Sequence, residues 1–304
     1  MRVTQGMINT TFKRDLNYNL RQLAKYQHQL AVGKRISRPS DDPVGIVHSL
    51  RLRADLDDIA TYSTNVDHAL SWLGSTEDAL LHASDIIQRV SDLAIAGANG
   101  TNPKAALDAI ADEIDQLLEH MVQIANSSQA GQYLFGGTKT KAAAGETYVP
   151  FELIREDGKP SYVQYNGNDT ARATEIGAGI EFTYNVTGKQ AFSDDIFNSL
   201  IELSHNLREG NTDDISSSTI GKLQQALDHL VAQRSEVGAK VNRLEMTESR
   251  LGSADINFTA LLSKTEDLDA AEAMIYLKTQ EAVYRAALAT GARIMQPTLV
   301  DFLR

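Results

Sequence analysis

Apolar residues recur every seven positions along much of the chain, which is typical of long amphipathic helices. The longest run covers residues 52–94 and has a second apolar row beside it. Asp42 before Pro43 predicts its start, because Asp can cap free amides and Pro is favoured in the first turn. We expect one helix over about 44–98, which would extend roughly 80 Å. The run consists of Leu52, Ile59, Val66, Leu73, Leu80, Ile87 and Ala94.

Two more helices follow from the same kind of pattern. The segment ANGTNP at 98–103 predicts a break, after which Asn102 caps a helix that Pro103 opens. In that helix apolar residues alternate by three and four over 107–124, and a third helix has them seven apart over 223–251. The short connection predicts that the first two helices lie antiparallel.

The period changes to two between about 138 and 190. Ile180, Phe182 and Tyr184 alternate with polar residues, and turn residues occur at 157–158 and 177–179. We expect a small antiparallel β insertion, followed by a helix near 194–208. The predicted fold class is mainly α: long antiparallel helical rods, a small antiparallel β insertion domain, and coiled-coil-forming terminal helices.

Both ends of the chain carry apolar stripes. Near the C-terminus, Asp269 precedes Glu272 by three residues, as at the start of a capped helix. We expect the ends to be disordered or frayed in the monomer and to become helical on assembly, when neighbouring copies cover the stripes. The candidates for packing between subunits, with packing inside one chain as the alternative, are Phe12, Leu16, Leu23, Leu30, Leu277, Tyr284, Leu288, Leu299 and Phe302.

Composition narrows the classes of partner. The chain has 29 Lys and Arg against 40 Asp and Glu, a net charge of -11, which disfavours nucleic acid and anionic membranes. The acidic excess lies away from residues 1–34, which hold six Lys or Arg and one Asp. There are no cysteines, so disulfides, thiolate nucleophiles and Cys-ligated metals are excluded.

No motif predicts catalysis or a cofactor. The seven histidines lack the spacing of a zinc-protease helix, and no Gly-x-Ser-x-Gly elbow occurs. Gly177-Ala178-Gly179 lacks the third glycine of a dinucleotide loop. We therefore expect no enzyme activity, metal or cofactor. The start has no apolar core with a cleavage site, and no apolar stretch reaches the roughly 18 residues of a membrane span.

Three segments resemble the bacterial flagellin family: GKRISRPSDDPVG at 33–45, QRVSDLAIAGANGTN at 88–102 and KTEDLDAAEA at 264–273. The order of elements is also that of the family. Further segments resemble its hook-associated protein 3 branch, the hook-filament junction proteins: MRVTQGM at the start, GQYLFGGTKT at 131–140 and ARIMQPTLVDFL at 292–303. Filament flagellins more often have alanine where Pro39 and Pro43 stand.

The resemblance implies a structural subunit that is exported unfolded through the flagellar type III channel without a cleaved signal peptide. It implies an extracellular location at the hook-filament junction. The implied partners are further copies in a ring or helical assembly, hook-associated protein 1 below, flagellin above, and an export chaperone in the cytoplasm. The alternatives are filament flagellin itself and, from another class, a cytoplasmic coiled-coil scaffold.

The resemblance also implies a division of the chain. Residues 1–34 and 268–304 would form the inner tube core, 35–137 and 191–267 the helical rod body, and 138–190 a small outward β domain. The family's contact-forming loop between terminal helix and rod corresponds here to Arg35, Arg38, Asp41 and Asp42. Helix capping is the alternative for the two aspartates.

Overall fold

The computed structural model describes residues 5–99, 102–141, 148–156 and 158–294 of the chain. Helices dominate it, and short strands lie between the third and fourth of them. The longer helices are α1 (Gln5–Val32), α2 (Pro43–Gly97), α3 (Lys104–Ala125), α5 (Asp194–Glu209), α7 (Ile220–Glu266) and α8 (Ala270–Ile294). The short ones are α4 (Gly188–Ala191), α6 (Thr212–Asp214) and a π-helical turn at Ile215–Thr219. The mainly α fold class is thus confirmed.

The starts of the helices test the capping predictions. Asp42 accepts hydrogen bonds from the amides of Val44 and Gly45 at 3.2 and 3.0 Å, as predicted for the start of α2. The prediction for Asn102 is wrong. Pro103 stands at the capping position of α3, and the Asn102 side chain donates instead to the Ala96 carbonyl at 2.7 Å. Its amide therefore satisfies the end of α2 rather than the start of α3.

The chain divides into two compact units. We call residues 1–58 and 254–304 the terminal unit, and residues 59–253 the central unit. Helices α2 and α7 each contribute residues to both.

The core of the central unit contains the predicted heptad positions. Val66, Leu73, Leu80 and Ile87 of α2 are fully buried. In α7 the seven-residue series is buried in the same way at Leu223, Leu230, Val237 and Leu244. Helix α3 packs against α5, and an ion-pair group ties them: Arg208 lies 2.7 Å from Asp112 and 2.6 Å from Asp115.

The β region consists of three antiparallel hairpins. Their strands are β1 (Ser128–Gln129) with β2 (Gln132–Tyr133), β3 (Phe151–Glu156) with β4 (Lys159–Tyr165), and β5 (Ala173–Gly177) with β6 (Ile180–Thr183). The second and third hairpins lie where the period of two predicts them. Their turns contain Gly158 and Gly179 at φ 79° and 68°, a conformation that glycine adopts without strain. The first hairpin precedes the predicted insertion, because two-residue strands show no period.

A cluster of aromatic rings joins these hairpins to α5. Phe151 of β3 lies 5.7 Å from Phe192 and 5.5 Å from Phe197, measured between ring centroids. Phe135, which follows β2, lies 5.0 Å from Phe192. The three rings at 135, 192 and 197 are almost completely buried, so the β region is anchored by its aromatic side chains.

The terminal unit is built around an antiparallel pair of helices, α1 and α8. The Tyr26 ring stacks on Tyr276 at 5.7 Å, and Gln280 donates to the side-chain oxygen of Asn19 at 3.2 Å. Both segments are helical in the single chain, whereas the sequence predicts helix formation only on assembly. Part of the apolar surface that the prediction assigned to neighbouring copies is covered by the other end of the same chain.

Candidate assembly surfaces

Six of the nine sequence-predicted packing residues lie along the seam between α1 and α8. Half-buried positions of α1 recur at 9, 12, 16, 19, 23, 26 and 30, and those of α8 at 277, 280, 284 and 287. Phe12, Leu16, Leu23, Leu30, Leu277 and Tyr284 all belong to these series. The alternation by three and four is that of a coiled coil. Leu299 and Phe302 lie outside the described residues.

Contact within one chain is explicit at one end of the seam. The ring of Phe12 lies directly against the backbone of Gly291, where no side chain intervenes. The structure therefore brings this predicted residue onto a partner in its own chain. Leu288 differs from the other candidates, since it is 43% exposed and lies off the seam. Whether any of the set also contacts a neighbouring subunit stays a prediction.

A second set of apolar side chains remains uncovered on the same two helices. Ile275 is 65% exposed and Val283 is 44% exposed, and neither belongs to the seam. We call the exposed apolar residues of α8 the α8 stripe: Met274, Ile275, Tyr276, Val283 and Leu288. Helix α1 adds Met7, Tyr18, Leu20 and Val32. The number of these uncovered apolar side chains on two paired helices makes the helices candidates for contact with another molecule.

The α8 stripe was only partly identified from the sequence. Of its five members, Leu288 alone was among the sequence-predicted packing residues. The other described candidates on α8, Leu277 and Tyr284, lie on the seam. The usable signal was the presence of two apolar rows, since one neighbouring helix can cover only one of them.

The loop at 33–42 uses its two aspartates locally. Asp42 caps α2, as described above. Asp41 accepts from the Arg38 amide at 3.1 Å and lies 3.5 Å from the Lys25 ammonium. Burial tends to raise the pKa of Asp41, but these hydrogen bonds and the positive charge hold it below its ordinary value. Capping and turn formation are thus the visible roles of both.

The two arginines of this loop behave differently. Arg35 donates from its guanidinium to the Thr265 carbonyl at 2.9 Å, so it ties the loop to the end of α7. Arg38 is exposed beside an open cleft of about 350 Å³ between α1 and the loop. Arg21, Lys25 and His28 of α1 also line that cleft. Arg38 is therefore the member of the predicted set that is most accessible to another molecule.

A buried carboxylate joins this loop to two helices. Glu266, the last residue of α7, is 1% exposed. Its oxygens lie 2.8 Å from Lys34 Nζ and 2.6 Å from an Arg53 guanidinium nitrogen, and Ser49 donates its hydroxyl to it. We call Glu266, Lys34, Ser49 and Arg53 the Glu266 cluster. Burial tends to raise the pKa of Glu266, but hydrogen bonds and charge from Lys34 and Arg53 hold it below its ordinary value.

Backbone hydrogen bonds flank this cluster. The Arg35 amide donates to the Glu266 carbonyl at 2.6 Å, and the Leu268 amide donates to the Gly33 carbonyl at 3.1 Å. The Gln29 side chain adds a bond from the end of α1 to the Arg35 carbonyl at 2.7 Å. Sequence reasoning missed the cluster, because Glu266 lies more than 200 residues from each of its three partners.

The described residues offer little that resembles a reaction centre. Among them, no group of three or more His, Asp or Glu could hold a metal ion. Within the same ranges, no helix is long and apolar enough to cross a membrane. An open cavity of about 460 Å³ lies between α5 and α7, and several of its polar groups already have partners. Lys222 lies 2.6 Å from Glu202, and His229 is 2.8 Å from the Gln190 carbonyl.

The geometry defines a class of protein: an elongated-helix structural subunit whose two chain ends pair and leave apolar stripes uncovered. Comparison with known families agrees with that class. The model for the bacterial flagellin N-terminal helical region matches residues 3–140, and the model for the bacterial flagellin C-terminal helical region matches residues 220–303. The chain belongs to the bacterial flagellin family. It is therefore a structural subunit of the bacterial flagellum, an extracellular assembly.

Similar proteins extend over nearly the whole chain. A flagellin of Bacillus subtilis (strain 168) is 27% identical, over 97% of each chain. A flagellar hook-associated protein-3 of Legionella pneumophila has the same fold, with a TM-score of 0.62 at 16% identity over 70% of this chain and 97% of that one. Bacillus cereus FlgL gives a TM-score of 0.57 at 23% identity over 69% of this chain and 97% of that one.

Proposed function

We propose that the chain forms the adaptor between the hook and the flagellin filament after type III export. The observation that carries this proposal is the resemblance of residues 131–140 and 292–303 to the junction branch of the family. The first segment has a clear structural role. Gly131 and Gly137 take positive φ values of 74° and 66°, and Phe135 between them fills the aromatic cluster. The similar fold of the hook-associated protein-3 adds support.

The adaptor would place the parts of the chain at different radii of a tube. Residues 1–34 and 268–304 form the inner core, 35–137 and 191–267 the rod body, and 138–190 the outward β domain. The uncovered α8 stripe supports the assignment of the ends to the core, because contact with further copies would remove it from water. The acidic charge outside residues 1–34 supports a solvent-facing body.

A position between the hook and the filament implies particular partners for the chain. Hook-associated protein 1 would contact one side of the adaptor layer and flagellin the other, while further copies complete the layer. Before export, a dedicated chaperone would cover the apolar C-terminal segment in the cytoplasm. The exposed side chains of the α8 stripe are the surface that would need covering. No enzymatic step is part of this role.

The second candidate function is filament flagellin itself, which the similarity to the Bacillus subtilis flagellin favours. The two functions differ in how far the purified protein is expected to polymerise. Purified flagellin extends into long filaments from seeds, whereas an adaptor adds a layer of limited length. Electron microscopy of the purified full-length chain mixed with isolated hooks separates the two outcomes.

Deletion of the gene in a motile host tests the adaptor function. We expect completed hooks and flagellin lost to the medium, because nothing would hold the filament. Normal filaments on the deletion strain would reject the proposal.

Complementation of that strain tests the α8 stripe. Val283→Asp places a charge on the stripe and should fail to restore filaments while the variant is still secreted. Val231→Asp is a matched control, since Val231 is 50% exposed on α7 in the central unit and Val283 is 44% exposed. Equal restoration by both variants would remove the stripe from the interface.

A further inference from the structure

We infer that Glu266 is a positioning residue for assembly: its carboxylate locks the direction in which the α1 and α8 pair leaves α2 and α7, and acid opens this lock. The inference deepens the proposed function, since it concerns control of the same assembly surface. It is argued from contacts inside the terminal unit.

The cluster stands where the helices change. Helix α1 ends at Val32 and α2 begins at Pro43, while α7 ends at Glu266 and α8 begins at Ala270. One carboxylate thus lies at both breaks between helices. Lys34 reaches it from the loop, and Arg53 and Ser49 reach it from α2.

Burial makes this carboxylate unusual. Within the part of the chain that the structure describes, Glu266 is the one charged residue among those that are buried. A buried charge is strongly unfavourable unless its partners stay in place, so any movement of Lys34 or Arg53 away from it is resisted. The lock is specific for the same reason: few arrangements of loop and helices satisfy this carboxylate.

Apolar contacts at the same place are fewer than in the central unit. Ile36 is the buried apolar side chain of the loop, at 2% exposure, and several neighbours on α2 remain uncovered. Val44, Val47 and Leu50 are between 47% and 69% exposed. Charge and hydrogen bonding therefore supply much of the stabilisation that keeps the loop attached to the helices.

The charges around Glu266 give the direction of its pH response. Lys34 faces it from the loop and Arg53 from α2, with the Arg35 guanidinium bonded one residue away at Thr265. On its own element the neighbouring charged residues, Lys264 and Asp267, are exposed. Protonation would leave two partly covered cations without a counter-charge.

The sign follows from the pKa of Glu266, which lies below its ordinary value in the folded chain. The Glu266 carboxylate therefore binds a proton more readily in the unfolded chain than in the folded chain. The stabilisation is present in full above about pH 5, where the unfolded carboxyl is also ionised, and is lost as pH falls through the lowered pKa. Low pH therefore weakens the contacts of the Glu266 carboxylate, and neutral pH restores them.

Amide exchange on the full-length monomer tests the lock directly. In Glu266→Gln, exchange at Arg35 and Leu268 at neutral pH should rise by about tenfold or more, while α3 is unchanged. Glu281→Gln is the matched control, because Glu281 forms a surface pair with Lys278 at 3.1 Å on α8. Lys34→Met removes one partner from a half-buried position and serves if the glutamine variant proves unstable; it should give a smaller rise. Unchanged exchange in both cluster variants would overturn the inference.

Assembly of the same proteins onto isolated hooks provides the second readout. Binding of wild type and of the Glu281→Gln control should fall alike as pH drops from 5 to 3, by more than any fall in Glu266→Gln, which reports the intrinsic effect of acid on the hooks. Glu266→Gln should bind poorly at neutral pH and show no step in this range, whereas Glu266→Asp should recover part of the step. A step of the same size in Glu266→Gln would overturn the inference. Failure of wild type to bind hooks would instead reject the adaptor function, and the exchange experiment would still decide the role of Glu266.

Discussion

A methyl group at position 291 should disrupt the pairing of the terminal helices. Gly291 is buried in α8, and an added Cβ would overlap the end of the Phe12 ring, 2.6 and 2.7 Å from Cε1 and Cε2. Overpacking of this kind costs about 1–3 kcal/mol. Replacing a helical glycine with alanine otherwise contributes about 0.8–1 kcal/mol. The expected net loss for Gly291→Ala is about 0–2 kcal/mol.

The matched control is Gly238→Ala in α7, where an added Cβ meets nothing within 4 Å. That variant should gain the full helix-propensity term, so the two variants should differ by about 1–3 kcal/mol. Urea unfolding followed by circular dichroism gives the global value. Amide exchange of α1 reports opening of the pair alone, which 1–2 kcal/mol would speed by about 5- to 30-fold.

The outcome also decides between two states of the free monomer. Phe12→Leu in the Gly291→Ala background should restore part of the protection, because the smaller side chain leaves room for the methyl group. If Gly291→Ala matches Gly238→Ala in both measurements, α1 and α8 do not meet at this point in solution. The sequence-based prediction of disordered ends would then stand.

Three further predictions concern the rest of the chain. Phe197→Ala should lower the stability of the central unit by roughly 3–5 kcal/mol in urea unfolding, since Phe197 is buried in the aromatic cluster. Burial raises the pKa of Tyr165 to about 12, so its stabilisation should be complete below about pH 10 and fall towards pH 12. Thermal unfolding at pH 9 and 11.5 checks this, and the fall should shrink in Tyr165→Phe. Asp42→Ala should cost about 1 kcal/mol while Asp42→Asn costs little, because Asn caps equally well. Equal losses in the two Asp42 variants would indicate a role for its charge beyond capping.

Periodicity made the long helices predictable. The first rod was expected over about 44–98 and runs from Pro43 to Gly97. Each turn of such a helix repeats the same apolar spacing, so the signal accumulates along the sequence. The hairpins at β3–β4 and β5–β6 were predictable for a similar reason, with glycine-containing turns between alternating strands.

The contacts between distant residues were not predictable in the same way. A stripe on α1 shows that an apolar face exists, but it does not show whether α8 or a second molecule covers it. The Glu266 cluster leaves no local trace, since Lys34 and Glu266 are 232 positions apart. The Asn102 side chain can bond either to backbone groups at the start of α3 or to those at the end of α2. Local propensity does not show which of the two it chooses.

The terminal unit has a consequence for the order of events during delivery. The central unit is one unbroken stretch, 59–253, while the terminal unit needs both extremities of the chain at once. A polypeptide that emerges from a narrow channel end first can collapse its middle while the tail is still inside. On the proposed function, the surface that contacts further copies is then completed last, so polymerisation would wait until the whole molecule has arrived.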